Sequence, residues 1–171
     1  MGAGAVAERA GTLWVTGGNN SGLHGSGDGA TLVTSSPIQI GSDSDWIGIF
    51  TGAGPRVLAL RDNNTLWAWG SGSYGALGLG NTLNVSSPTQ IGSLTTWESA
   101  AISQGVSHAV KTDGTLWGWG GANWGQVGDG TVVYRSSPVQ IGSLTTWDKV
   151  ATGRTPILIK DDDTMWSWGV N

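Results

Sequence analysis

The 171-residue sequence contains no cysteine, which excludes a disulfide framework and any thiolate metal site. Charge is nearly as scarce, with eight Lys and Arg against twelve Asp and Glu and a net of −4. The eight cations are scattered from Arg9 to Lys160, with no basic run. A nucleic-acid surface needs a basic stripe, so nucleic acid is not an expected partner. No apolar run approaches the ~20 residues that cross a bilayer as a helix, so membrane insertion is not expected. The opening MGAGAVAERAG has neither a basic start nor a long apolar stretch, so no secretory signal is expected. Phe occurs once and Met twice, against thirty Gly and eleven Trp. So much Gly disfavours a helical core, and Trp takes over the large apolar area that Phe and Met usually supply.

Those tryptophans recur at a fixed period. The phrase TLWAWG begins at Thr65 and TLWGWG at Thr115, with weaker echoes from Thr12 and Thr164. The first tryptophan of the phrase falls at Trp14, Trp67, Trp117 and Trp166, with steps of 53, 50 and 49. A second falls at Trp69, Trp119 and Trp168, and a third at Trp46, Trp97 and Trp147. The triplet Ser-Ser-Pro starts at Ser35, Ser86 and Ser136. Between 65–97 and 115–147, 19 of 33 aligned positions are identical. A recurrence of this kind signals a tandem array.

Each period reads as four short strands. TLWGWG alternates, with Trp117 and Trp119 on one face. SPVQIG starts at a proline, which the first residue of a strand tolerates. TWDKVATG and PILIKD are short and rich in β-branched residues, and KTDGT is a hairpin signal. No segment carries a capped helical period. The expected class is all-β, and four antiparallel strands per ~50 residues is the unit of a β-propeller blade. All ten of these tryptophans are expected to pack blades.

The unit at 117–147 carries Trp117, Trp119, Gly120, Asn123, Gly125, Gln126, Gly128, Asp129, Gly130 and Thr131, then the Ser-Ser-Pro segment and Trp147. It resembles the RCC1-type (regulator of chromosome condensation) repeat in its bacterial and phage form, and the resemblance runs over essentially the whole chain. The units have diverged: Leu79 stands where Asp129 does, Ala76 where Gln126 does, and Thr16 replaces the second tryptophan. The family's Gly-x-x-His appears once, ending at His108, with Leu58 and Ile157 at that position elsewhere.

Counted this way the chain holds three four-stranded blades, at roughly 12–61, 65–111 and 115–161. A leading strand at 5–9 and a trailing strand at 164–169 remain. Propellers use about 4–8 blades, so this array is expected to be an incomplete ring with an apolar face at each end. Two copies would supply six blades, so a homo-oligomer or docking on a partner protein is the expected solution.

Motifs for chemistry are weak. GSGSYG, ending at Gly75, fits a dinucleotide fingerprint only if a helix follows, and ALGLGN follows instead. The two histidines, His24 and His108, have no G-x-S-x-G elbow or matching serine. Asp43 with Asp45, and Asp161 to Asp163, are too short for a calcium loop. No cofactor, metal or catalytic residue is expected, and the chain is not expected to be an enzyme. Binding residues are better sought among aromatics and Arg on loops: Tyr74, Trp124, Tyr134 and Arg135. The leading functional reading is a non-catalytic scaffold, in a phage virion or on a bacterial surface. Two alternatives follow from the resemblance: a module that inhibits or recognises another protein, and guanine-nucleotide exchange on a small GTPase.

Overall fold

A computed structural model describes residues 10–27, 33–152 and 155–169. Among the described residues thirteen strands follow one another with two short 3-10 turns between them, and the class is all-β as expected. Strands β1 (Leu13–Gly18) and β2 (Val33–Ile40) form a two-stranded sheet. Strands β3 (Trp46–Thr51), β4 (Arg56–Arg61), β5 (Leu66–Gly70) and β6 (Val85–Gln90) form a four-stranded antiparallel sheet in that order. The pattern repeats in β7 (Trp97–Ser103), β8 (Val106–Lys111), β9 (Leu116–Gly120) and β10 (Arg135–Gln140). A three-stranded sheet of β11 (Trp147–Thr152), β12 (Pro156–Lys160) and β13 (Met165–Ser167) ends the series.

The hydrogen bonds divide the strands at a different phase from the sequence unit. Three four-stranded blades were expected; among the described residues the sheets hold two, four, four and three strands. A tandem repeat can be cut anywhere without changing its period. The cut falls before each Trp46-type strand because hairpin turns join β3 through β5, whereas the segments at 41–45 and 91–96 carry the chain to a new sheet. The trailing strand is β13, and the leading strand expected at 5–9 lies outside the described residues. No strand among those described joins the first sheet to the last.

The sheets stack in chain order, with three apolar clusters between them. Leu13, Ile40, Trp46 and Trp69 fill the first gap, Leu58, Leu66, Trp97 and Trp119 the second, and Val110, Leu116, Trp147 and Leu158 the third. Indoles pack edge to face within each wedge. Trp97 lies 6.1 Å from both Trp117 and Trp119, and Trp147 lies 6.3 Å from Trp166 and 6.4 Å from Trp168, a favourable aromatic geometry. The indole N–H groups of Trp46, Trp97 and Trp147 have no hydrogen-bond acceptor, so packing and not an indole hydrogen bond places these three rings. Trp14 and Trp166, both expected to pack blades, are more exposed than their counterparts, although Trp166 still meets Trp147; among the described residues each lies in a sheet with fewer than four strands.

Gly78 shows how close the sheets come. Its φ of +72° is a left-handed conformation, and an added Cβ would lie 2.8 Å from the Trp119 indole nitrogen. Gly125, at φ +69°, has nothing within 4 Å of such an atom. Gly78→Ala is expected to cost ~3 kcal/mol, combining backbone strain with overlap. Gly125→Ala should cost only ~1 kcal/mol, from strain. Urea denaturation of the two variants checks the difference.

His108 is fully buried between the third and fourth sheets, its ring 5.7 Å from Trp168. Burial pulls its pKa down to about 4, against opposing hydrogen bonds to the backbone of Val127 and Gln126. The unfolded chain binds this proton near pH 6.5, so the stability due to a neutral His108 is complete above that pH. It is lost as pH falls towards 4, amounting to about 3 kcal/mol. His108→Leu, the residue found at its counterpart Leu58, should flatten that part of a stability-versus-pH curve.

Candidate functional site

The groups considered for chemistry are engaged in local structure. No group of three or more His, Asp and Glu among the described residues could hold a metal ion. Both histidine rings contact backbone carbonyls: His24 Nε2 lies 3.0 Å from Gly17 O and His108 Nε2 3.1 Å from Val127 O. Asp43 and Asp45 pair with Arg61. Asp162 accepts hydrogen bonds from the Thr164 hydroxyl and amide in its turn. The GSGSYG stretch ends in a 3-10 turn at Ser73–Gly75, with no helix beyond.

Three loops stand out instead, described at 19–27, 71–84 and 121–134, which follow β1, β5 and β9. Each reaches onto the next sheet and is fastened there by an indole. Trp69 Nε1 donates to Leu23 O at 2.9 Å, Trp119 Nε1 to Ala76 O at 2.9 Å, and Trp168 Nε1 to Gln126 O at 3.0 Å. Ser107 Oγ adds a second donor to Ala76 O at 2.8 Å. The loops are therefore rigid platforms.

On these platforms Tyr74 and Tyr134 come together, although sixty residues apart. Their rings meet edge to face at 5.5 Å and 88°, and both are half exposed, at 49% and 43%. Tyr74 holds a left-handed backbone, φ +64°. Its ring lies across Gly105, where a Cβ would stand 2.9 Å from it. Tyr134 donates its hydroxyl to Asn123 Oδ1 at 2.5 Å. Under Tyr74 the buried Arg56 guanidinium donates through Nε to Ser71 O at 3.3 Å. Burial lowers its pKa, opposed by the charge interaction with Tyr74. Sequence reasoning missed Arg56, because nothing in the repeat marks it.

Trp124 holds the position of Tyr74 in the next loop, but its ring is 65% exposed. Its amide donates to Gln126 Oε1 at 2.8 Å. Arg135 does not join the exposed group. It pairs with Asp129 at 2.6 Å and braces its own loop. Burial pushes the Asp129 carboxyl up, but hydrogen bonds from Thr131 and Arg135 outweigh it and hold the group below the usual range.

Two cavities lie elsewhere. One of about 480 Å³ sits between β3, β7 and β11, lined by Phe50, Ile102 and Lys149 among others. Another of about 540 Å³ opens on the rim between the second and third sheets, beside Leu79, Val85, Trp97 and Trp117. Neither gathers the convergent polar groups that mark a small-molecule site.

The model of the regulator of chromosome condensation (RCC1) repeat matches residues 63–110 and 113–156. Human X-linked retinitis pigmentosa GTPase regulator is 34% identical over 86 residues, which cover 50% of this chain and 8% of that protein. The mouse E3 ubiquitin-protein ligase HERC2 is 33% identical over 92 residues, 53% of this chain and 2% of that protein. The chain thus spans a small part of the curated relatives it matches. Human WBSCR16 has a similar structure, with a TM-score of 0.81 at 22% identity over 94% of this chain and 43% of that one. Yeast RCC1 (Prp20), solved bound to Kap60, gives 0.74 at 16% identity over 96% and 41%. These likenesses establish the fold, an RCC1-type β-propeller array. With the repeat model matched over more than half of its length, the chain belongs to the RCC1 repeat family.

Proposed function

We propose that this chain is a non-catalytic protein-interaction scaffold, which presents the aromatic loop face to a partner and assembles through its last sheet. The observation that carries this reading is a contrast between equivalent positions. Leu66 and Leu116 are fully buried by the sheet that follows theirs, whereas Met165 is 73% exposed. Leu58 and His108 are fully buried, and Ile157, at the same place in the repeat, is half exposed. Apolar side chains that pack sheets elsewhere in the array lie open here, and a contiguous open apolar patch marks an interaction surface.

The loop face supports the other half. Two tyrosines in mutual contact, one also bonded to Asn123, are amphipathic groups with less entropy to lose on binding than free side chains. The virion or bacterial-surface setting and closure by copies of the chain belong to this proposal. The names of two similar proteins, the human GTPase regulator and Prp20p with its binding to Gsp1p and histones, supply a second reading, regulation of a small GTPase.

Sedimentation tests the assembly. The protein should grow in size with concentration, and the double variant Ile157→Glu with Met165→Glu should remain monomeric with an unchanged circular dichroism spectrum. A wild-type protein that sediments as a monomer at every concentration overturns this half. For the loop face, Tyr74→Ala and Tyr134→Ala should each weaken partner binding about tenfold or more while the melting temperature moves little. Capture of the same proteins at the same strength by the double tyrosine variant would overturn it, and a captured GTPase would favour the second reading.

A further inference from the structure

We infer that the loop at 121–134 and the free edge of β13 form a preshaped seat for one extended Ser-Ser-Pro-x-Gln-Ile strand, supplied by a second polypeptide carrying the same repeat. The inference rests on the reading of the last sheet as an assembly surface and names what covers it.

The array displays the same seat twice with its occupant in place. In the first, an added Cβ on Gly22 would lie 2.7 Å from the Ser86 Cα, and Gly27 N donates to Ser86 O at 2.8 Å. In the second, the same atom on Gly75 would lie 2.6 Å from the Ser136 Cα, and Gly80 N donates to Ser136 O at 2.7 Å. The strands that begin with these serines continue along the sheet edge. Gln90 pairs with Trp67 and Gln140 with Trp117. Ile91 N then donates to Leu66 O, and Ile141 N to Leu116 O, both at 2.8 Å. Both isoleucines are buried.

In the third seat the corresponding groups are Gly125, Gly130, Met165 and Trp166. Neither Gly125 nor Gly130 has anything within 4 Å of where a Cβ would stand. A cavity of about 490 Å³ opens there, lined by Trp124, Gly125, Gly130, Thr131, Val132 and Val133. Among the described residues no strand lies beyond β13. The seat needs no rearrangement. Gly125 has the left-handed φ of +69° that Gly22 and Gly75 hold at +79° and +77°, and the loop is already fastened to Trp168. The chain's own three Ser-Ser-Pro strands are all engaged, β2 on β1, β6 on β5 and β10 on β9. None of the three is left over for the third seat, which is open to a strand from a second polypeptide, and main-chain bonding with shaped pockets is how sheet edges accept a strand.

The test is titration of the 171-residue protein with the synthetic peptide YRSSPVQIGS, the sequence of residues 134–143. Saturable binding is expected, read by tryptophan fluorescence and by hydrogen-exchange protection of the amides at Met165–Ser167. N-methylation of the peptide isoleucine removes the donor that Met165 O would accept from, and should weaken binding about tenfold. Leucine in place of the first serine, which would meet Gly125, should weaken it at least as much. No saturable binding, protection confined to other residues, or equal binding of the N-methylated peptide would overturn the inference. Failure of the peptide on a protein that self-associates overturns the seat and leaves the assembly reading. Peptide binding to a strictly monomeric protein supports the seat and removes self-assembly.

Discussion

Every junction in this molecule depends on one contact, an indole N–H aimed at the backbone carbonyl of a loop from the preceding sheet. It occurs at Trp69, Trp119 and Trp168, with N–O distances of 2.9 to 3.0 Å. The ring beside that donor lies flat against a glycine, Gly25, Gly78 or Gly128, so close that an added Cβ would be 2.5 to 2.9 Å from the nitrogen. Hydrogen bond and close approach require each other. A larger residue would push the loop away and leave a buried indole donor unmet, which costs more than the bond gains. The otherwise unusual abundance of Trp and Gly is the composition that this contact demands.

Within a sheet a second device fixes the other tryptophans. Thr65, Thr115 and Thr164 accept hydrogen bonds from Trp67, Trp117 and Trp166, and their own hydroxyls donate to Asn63, Asp113 and Asp162. The Thr115 bonds hold the Asp113 carboxyl below its usual range. Above each tryptophan pair sits a cation. Arg61 lies 4.3 and 4.2 Å from the ring centres of Trp46 and Trp67, Lys111 3.6 Å from Trp117, and Lys160 4.1 Å from Trp166. Such contacts contribute about 1 kcal/mol each. Three of the eight basic residues thus lie over tryptophan rings.

Much of this architecture was legible because a tandem repeat writes each strand several times. The strand segments, the all-β class and the trailing strand at Met165 follow from period and alternation. The cutting point between sheets did not, since periodicity carries no phase and only the hydrogen-bond ladder chooses one. A basic residue stands before the hairpin turn in each unit, as Arg61, Lys111 and Lys160, but such a residue reads as solvated until an aromatic pair is seen beneath it. Of the residues singled out for binding, Tyr74 and Tyr134 meet, Trp124 stands apart, and Arg135 turns inward to Asp129. The fates of Trp124 and Arg135 could not be read from spacing. One depends on whether a neighbouring sheet exists, and the other on an acid that the sister unit replaces with Leu79.

The loop fastening also has a direction. Each of the three indole bonds runs from a loop to the sheet that comes after its own, so the described parts of the two end sheets offer different chemistry: an unfilled loop socket at the last and a two-stranded ladder at the first. Like ends cannot mate through these contacts. Assembly through the proposed seat would be vectorial, running head to tail, and would give rings or open filaments rather than back-to-back pairs.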